Sequence, residues 1–106
     1  MLAEHLTDSC DIGSGGAALA AAFPPLATHA KALPEVWWYT DEETSRTDAE
    51  DSRVRYRDSG FMEPESKLVA RVDALVDTLR ARPEAVIALF GHSDFFNFLM
   101  ERHCGV

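Results

Sequence analysis

Glycine, histidine and serine stand together at Gly91-His92-Ser93, where the apolar run of residues 85–90 gives way to an aromatic, helix-like segment. An imidazole can pass a proton near neutral pH, and it can attack phosphorus as a nucleophile. A strand that ends here and opens into a helix sets that imidazole beside free backbone N–H groups and the positive end of a helix dipole. In an open α/β sheet, that crevice is where ligands bind. Gly91 permits close backbone approach, and Ser93 suits the N-cap position. The chemistry that fits is the holding of phosphate or another oxyanion at His92. A histidine after a strand can equally be a packed or capping side chain, so the surrounding elements matter.

The clearest of these is a helix over residues 65–82. Pro64 suits a first turn, Glu63 and Glu65 favour the N-terminal dipole, and Pro83 ends the helix. Leu68, Val69, Val72, Leu75, Val76 and Leu79 form one stripe at helical spacing. Residues 85–90 form a continuous apolar run of strand length, the pattern of a strand buried on both faces. Phe95, Phe96, Leu99 and Met100 supply a stripe for the helix behind Ser93. Helix, strand and helix with short connections predict an α/β architecture. Upstream, an alanine-rich helix over residues 17–23 must stop at Pro24-Pro25, and residues 26–33 can hold another helical turn. Val36-Trp37-Trp38-Tyr39 is either a strand or an anchored loop, with the tryptophans as core or interface anchors. Residues 41–58 carry eleven charged side chains and read as a solvated loop, with Arg46, Arg53, Arg55 and Arg57 as surface charge.

Composition narrows the function. A chain of 106 residues, 46% hydrophobic and 26% charged, makes one soluble domain. Its net charge of -8 repels a phosphate backbone, so no nucleic-acid partner is expected. No apolar run reaches membrane-span length and no basic signal-peptide start is seen, so a cytoplasmic protein with no membrane partner is expected, organellar targeting staying open. Cys10 and Cys104 read as two free thiols. His5 and His29 match no zinc spacing with His92, and neither a metal nor a cofactor is implied.

Residues 65–82, residues 85–90 and Gly91-His92-Ser93-Asp94-Phe95 together resemble the C-terminal half of the histidine phosphatase (phosphoglycerate mutase-like) superfamily. Glu4-His5-Leu6, Ser9-Cys10-Asp11-Ile12-Gly13-Ser14, Phe23-Pro24 and Leu33-Pro34-Glu35-Val36-Trp37-Trp38 look like the middle of its plant and algal members. The resemblance implies a three-layer α/β/α sandwich over residues 1–106, with residues 41–62 as a charged loop insertion. It implies that His92 is the second histidine contacting the transferred phosphoryl group. The Ser93 amide would hold the phosphate, and Glu4 would be the acid that protonates the leaving group. Asp11 is a weaker acid candidate and suits a turn. The partner implied is a small phosphorylated metabolite or a phosphoprotein.

The family's nucleophile is a histidine in Arg-His-Gly after a first strand, and this chain has no such string. Arg102-His103-Cys104-Gly105 comes closest, but it suits a helix end, with His103 as a terminal cation and Gly105 as the stop. A second arginine and the last strand of the family pattern are also missing. The expectation is therefore a member of that family, which hydrolyses or transfers phosphate esters through a phosphohistidine, truncated and inactive as given, or else a non-catalytic anion- or protein-binding descendant. Its unpaired strand edges would favour a homodimer.

Overall fold

The computed structural model describes residues 2–40 and 49–106. Five α-helices carry the chain: α1 (Gly16–Ala22), α2 (Ala27–Lys31), α3 (Ala49–Ser59), α4 (Glu65–Arg80) and α5 (Ser93–His103). Two 3-10 turns, Ser9–Asp11 and Pro24–Leu26, join the early elements. Among the described residues there is no β-strand. The expected α/β/α sandwich is thus incorrect, and the described architecture is all-helical.

The reason lies in residues 85–90. They contain no helix, as their position between Pro83 and Gly91 leads one to expect, yet among the described residues no backbone hydrogen bond pairs them with another segment. A strand is a property of a pair, because its backbone groups need partners across the ladder. The apolar run supplies the side chains of a buried strand without supplying the neighbour. Val86 and Phe90 are consequently each 88% exposed.

Two small cores replace the expected single one. In the first, Leu6, Ile12 and Trp38 are buried against Val36, Trp37, Tyr39, Tyr56 and Phe61. In the second, Leu68 and Val72 of α4 meet Phe95 of α5, with Leu2, Leu75, Phe96, Phe98 and Leu99 around them. The chain segment from Leu2 to Thr7 is extended and serves both, Leu2 packing in one core and Leu6 in the other. The α4 stripe is deeply buried only at Leu68 and Val72, since one helix and one extended segment cover it where a sheet would cover more. The Cα radius of gyration is 15.0 Å, against roughly 13 Å for a compact chain of this length.

Local sequence accounts for the helix limits. Pro64 opens α4 and Pro24 stops α1, as expected. At the end of α5, Gly105 takes the left-handed conformation at φ 70° that glycine adopts without a Cβ clash. Residues 41–48 of the expected charged loop lie outside the described residues, but residues 49–59 form α3 and not a loop. That helix has almost no apolar face. It is attached by the Trp38 indole, which donates to the buried Ser52 hydroxyl at 3.0 Å, and by the Tyr56 hydroxyl, which donates to the Thr7 carbonyl at 3.3 Å. Trp37 donates to the Ser14 carbonyl at 2.9 Å. A Cβ on Gly13 would come within 2.6 Å of both indole rings, so the tryptophans are seated on bare backbone. No described helix is long and apolar enough to cross a membrane.

The middle of α4 and the C-terminal end of α5 are joined by charge. Arg102 donates to both carboxylate oxygens of Asp73 at 2.7 and 2.9 Å, and His103 Nε2 meets the same group at 2.8 Å. Hydrogen bonds from Arg102 and then His103 hold the Asp73 carboxyl at about 2, below the usual 3.8. Asp73 binds its proton more weakly in the folded chain than in the unfolded one. Its contribution is therefore complete above pH 3.8 and lost as pH falls toward 2. In urea titrations, the midpoint of the native chain should fall more steeply between about pH 4 and about pH 2 than that of Asp73→Asn. Parallel slopes would remove Asp73 as an acid-sensitive tie.

Candidate functional site

The first turn of α5 faces the start of the chain. His92 is the extended N-cap residue, and its side chain does not cap the helix. The cap comes instead from Glu4, whose Oε1 accepts the Phe95 N–H at 3.1 Å across 91 positions of sequence. The same oxygen accepts the His5 N–H at 2.8 Å. The second oxygen, Oε2, lies 3.9 Å from His92 Nδ1, close enough for an ion pair when the imidazole is protonated. The Glu4 side chain is 14% exposed and that of His92 55%. A carboxylate already sits at the helix N-terminus, where the dipole favours an anion.

Glu4 and His92, the two candidate catalytic residues, are thus neighbours. Ser93 is the first helical residue and not the N-cap. Its N–H and that of Asp94 have no acceptor among the described residues, which leaves two donors beside the imidazole. Gly91 is closely approached, but by protein: a Cβ there would lie 3.0 Å from the Phe96 ring and 3.4 Å from Leu2. Leu2, Trp37, Phe90, Gly91 and His92 line an open pocket of about 360 Å³. Asp11 stands apart, accepting the Thr7 and Asp8 N–H groups at 3.0 and 2.9 Å in the turn expected of it.

The seat of Glu4 depends on a pair, Glu63 and Arg71, that the sequence pattern does not connect. Glu63 is only 3% exposed, and Arg71 grips it in bidentate fashion at 2.8 and 2.7 Å. The same guanidinium donates to the backbone carbonyls of Ala3 at 2.9 Å and Glu4 at 3.2 Å. It also lies 5.3 Å from the centroid of the Phe95 ring, a cation–π contact. On the other side, the Glu63 N–H donates to the Leu6 carbonyl at 2.8 Å, and His5 Nε2 meets the Glu63 carbonyl at 2.9 Å. One ion pair thereby fixes the backbone on both sides of Glu4 relative to α4 and α5. A sequence signal existed, since Arg71 is a cation inside the stripe of Leu68, Val72 and Leu75.

The remaining histidines are occupied elsewhere. His5 holds the Glu63 carbonyl and stands edge-on to Phe98, and His103 is held by Asp73. His29 lines an apolar pocket with Leu19, Phe23, Leu26 and Leu33. The described residues contain no group of three His, Cys, Asp or Glu side chains able to hold a metal. Cys10 and Cys104 are free and exposed, and the negative charge of Asp11 pushes the Cys10 thiol up. Comparison with protein-family models, characterised proteins and solved structures finds no match to this chain.

Removing the guanidinium leaves a buried carboxylate unpaired. Arg71→Ala should destabilise the chain by about 3–5 kcal/mol in denaturant titrations. Arg71→Lys should recover little of it, because an ammonium cannot reproduce the fork. The double variant Arg71→Met with Glu63→Leu should recover most. An Arg71→Ala loss below about 1 kcal/mol would show that the pair is not the anchor described.

Proposed function

We propose that this chain is a non-catalytic phosphate-ester-binding domain, a half-site of histidine phosphatase type with His92 as the phosphoryl contact. The observation that carries this reading is the Glu4–His92 neighbourhood at the start of α5. The imidazolium and the Ser93 and Asp94 N–H groups can together hold three oxygens of a phosphoryl group. The adjoining pocket of about 360 Å³ has room for a small metabolite or a phosphorylated side chain.

Turnover needs an attacking group as well. A phosphohistidine route forms a bond from an imidazole nitrogen to phosphorus as the ester oxygen departs with a proton. His5, His29 and His103 are each held away from His92. Without that nucleophile the pocket binds and does not cleave, because the members of such a unit act together.

Binding has a built-in opponent. The Glu4 carboxylate competes with an incoming anion, and at 4 Å two unit charges interact by about 1 kcal/mol even in water, roughly a fivefold effect. Titration with inorganic phosphate should shift the His92 ring resonances and the Ser93 and Asp94 amides. Glu4→Gln should tighten that binding at least about fivefold, by removing the opposing charge while keeping an acceptor for Phe95. His92→Ala should abolish it, and an aryl phosphate should not be hydrolysed. Unmoved resonances would sink the binding claim. Hydrolysis lost in His92→Ala would sink the non-catalytic one.

A further inference from the structure

Residues 85–90 are six apolar residues in a row, and all but Leu89 are exposed. Among the described residues, no backbone hydrogen bond is made by residues 83–91. Val86 and Phe90, at 88% exposed, are the most exposed large apolar side chains among the described residues. An uncharged, β-branched segment with open N–H and C=O groups is a template for another strand.

We propose that the segment pairs antiparallel with the same segment of a second copy, on a two-fold axis through Ala88. In that register Val86 of one copy lies opposite Phe90 of the other, so the two most exposed side chains cover each other on one face. Ile87 lies opposite Leu89 on the second face. Glu84 lies opposite His92, bringing a carboxylate to an imidazole at both ends of the ladder. Shifting the register by one or two residues breaks this matching, because Phe90 then meets a smaller or charged side chain and Glu84 no longer faces His92. Self-complementarity of this kind is what a two-fold interface requires. Charge favours the same place. A chain of net charge -8 repels its own copy, and residues 85–90 form a stretch without charge.

The exposed area agrees in size. The chain exposes 6988 Å², about 1,100 Å² more than a compact monomer of 11.7 kDa. Two such excesses total about 2,200 Å², enough to supply the roughly 1,200–2,000 Å² buried in a standard specific interface. The pairing does not rest on the phosphate reading, since the Val86–Phe90 and Ile87–Leu89 contacts are made whether or not an anion sits at His92.

Light scattering on the whole chain at micromolar concentration should give twice the 11.7 kDa monomer mass. Val86→Lys with Phe90→Lys should restore the monomer mass with an unchanged helical circular dichroism spectrum, because both side chains point into solvent in the single copy. The register is read by cross-linking in a Cys10→Ser, Cys104→Ser background. Ala88→Cys should oxidise to a covalent dimer, as facing residues lie within about 5.5 Å. Ala85→Cys should not, since the two copies of that residue lie about 20 Å apart along the ladder. A monomeric wild type, a dimer that survives the double lysine variant, equal cross-linking at both positions, or a series of larger species would each overturn the proposal.

Discussion

Everything in the described fold turns on a carboxylate that cannot be left alone. Glu63 is buried to 3% exposure and lies just before α4 begins. A buried carboxylate without a partner costs several kcal/mol, which is comparable to the whole stability of a small domain. Arg71 removes that cost with two hydrogen bonds and directs its remaining donors at Ala3 and Glu4. The extended N-terminal segment is thereby fixed in place, although it forms no sheet. Without that attachment Leu2 and Leu6 have no reason to enter their separate cores, and α4 and α5 keep only each other.

The candidate site follows from the same constraint. Glu4 reaches the first turn of α5 because its own carbonyl and that of Ala3 are held from behind by Arg71. The Phe95 amide, the Glu4 carboxylate and the His92 imidazole then form a short chain of polar contacts at the edge of an open pocket. The arrangement satisfies one orphan donor of α5 and leaves two. An anion would enter a site whose electrostatics are already half balanced by the protein itself, so its affinity reflects a competition more than a vacancy.

Helices were legible in the sequence wherever local signals agreed. The α4 stripe between Pro64 and Pro83, the alanine run before Pro24 and the aromatic stripe of α5 all fold as their spacing predicts. Residues 85–90 were misread because a continuous apolar run reports side chains and not neighbours, and neighbours decide whether extended backbone becomes a strand. Residues 49–59 were misread for the opposite reason. Their charge suggested loop, while the Trp38 indole on Ser52, the Tyr56 hydroxyl on Thr7 and the packing of Ala49 and Tyr56 on the first core help to dock them. Of the site, His92 was legible from its junction, and Glu4 only through the family resemblance. Arg71 went unread although it is a cation inside the α4 stripe, and Glu63 was read only for the helix dipole, since eight positions and a helix start separate the two.

The central claim is that the Glu4 carboxylate, seated by the Arg71–Glu63 pair, caps α5 beside His92. An amide that donates to a side-chain oxygen is protected from exchange with solvent while that bond holds. The Phe95 amide should therefore exchange more slowly than the Ser93 and Asp94 amides of the same helix turn, and lose that protection in Glu4→Ala. A Phe95 amide that exchanges as fast as those of Ser93 and Asp94, or that keeps its protection in Glu4→Ala, would contradict the account.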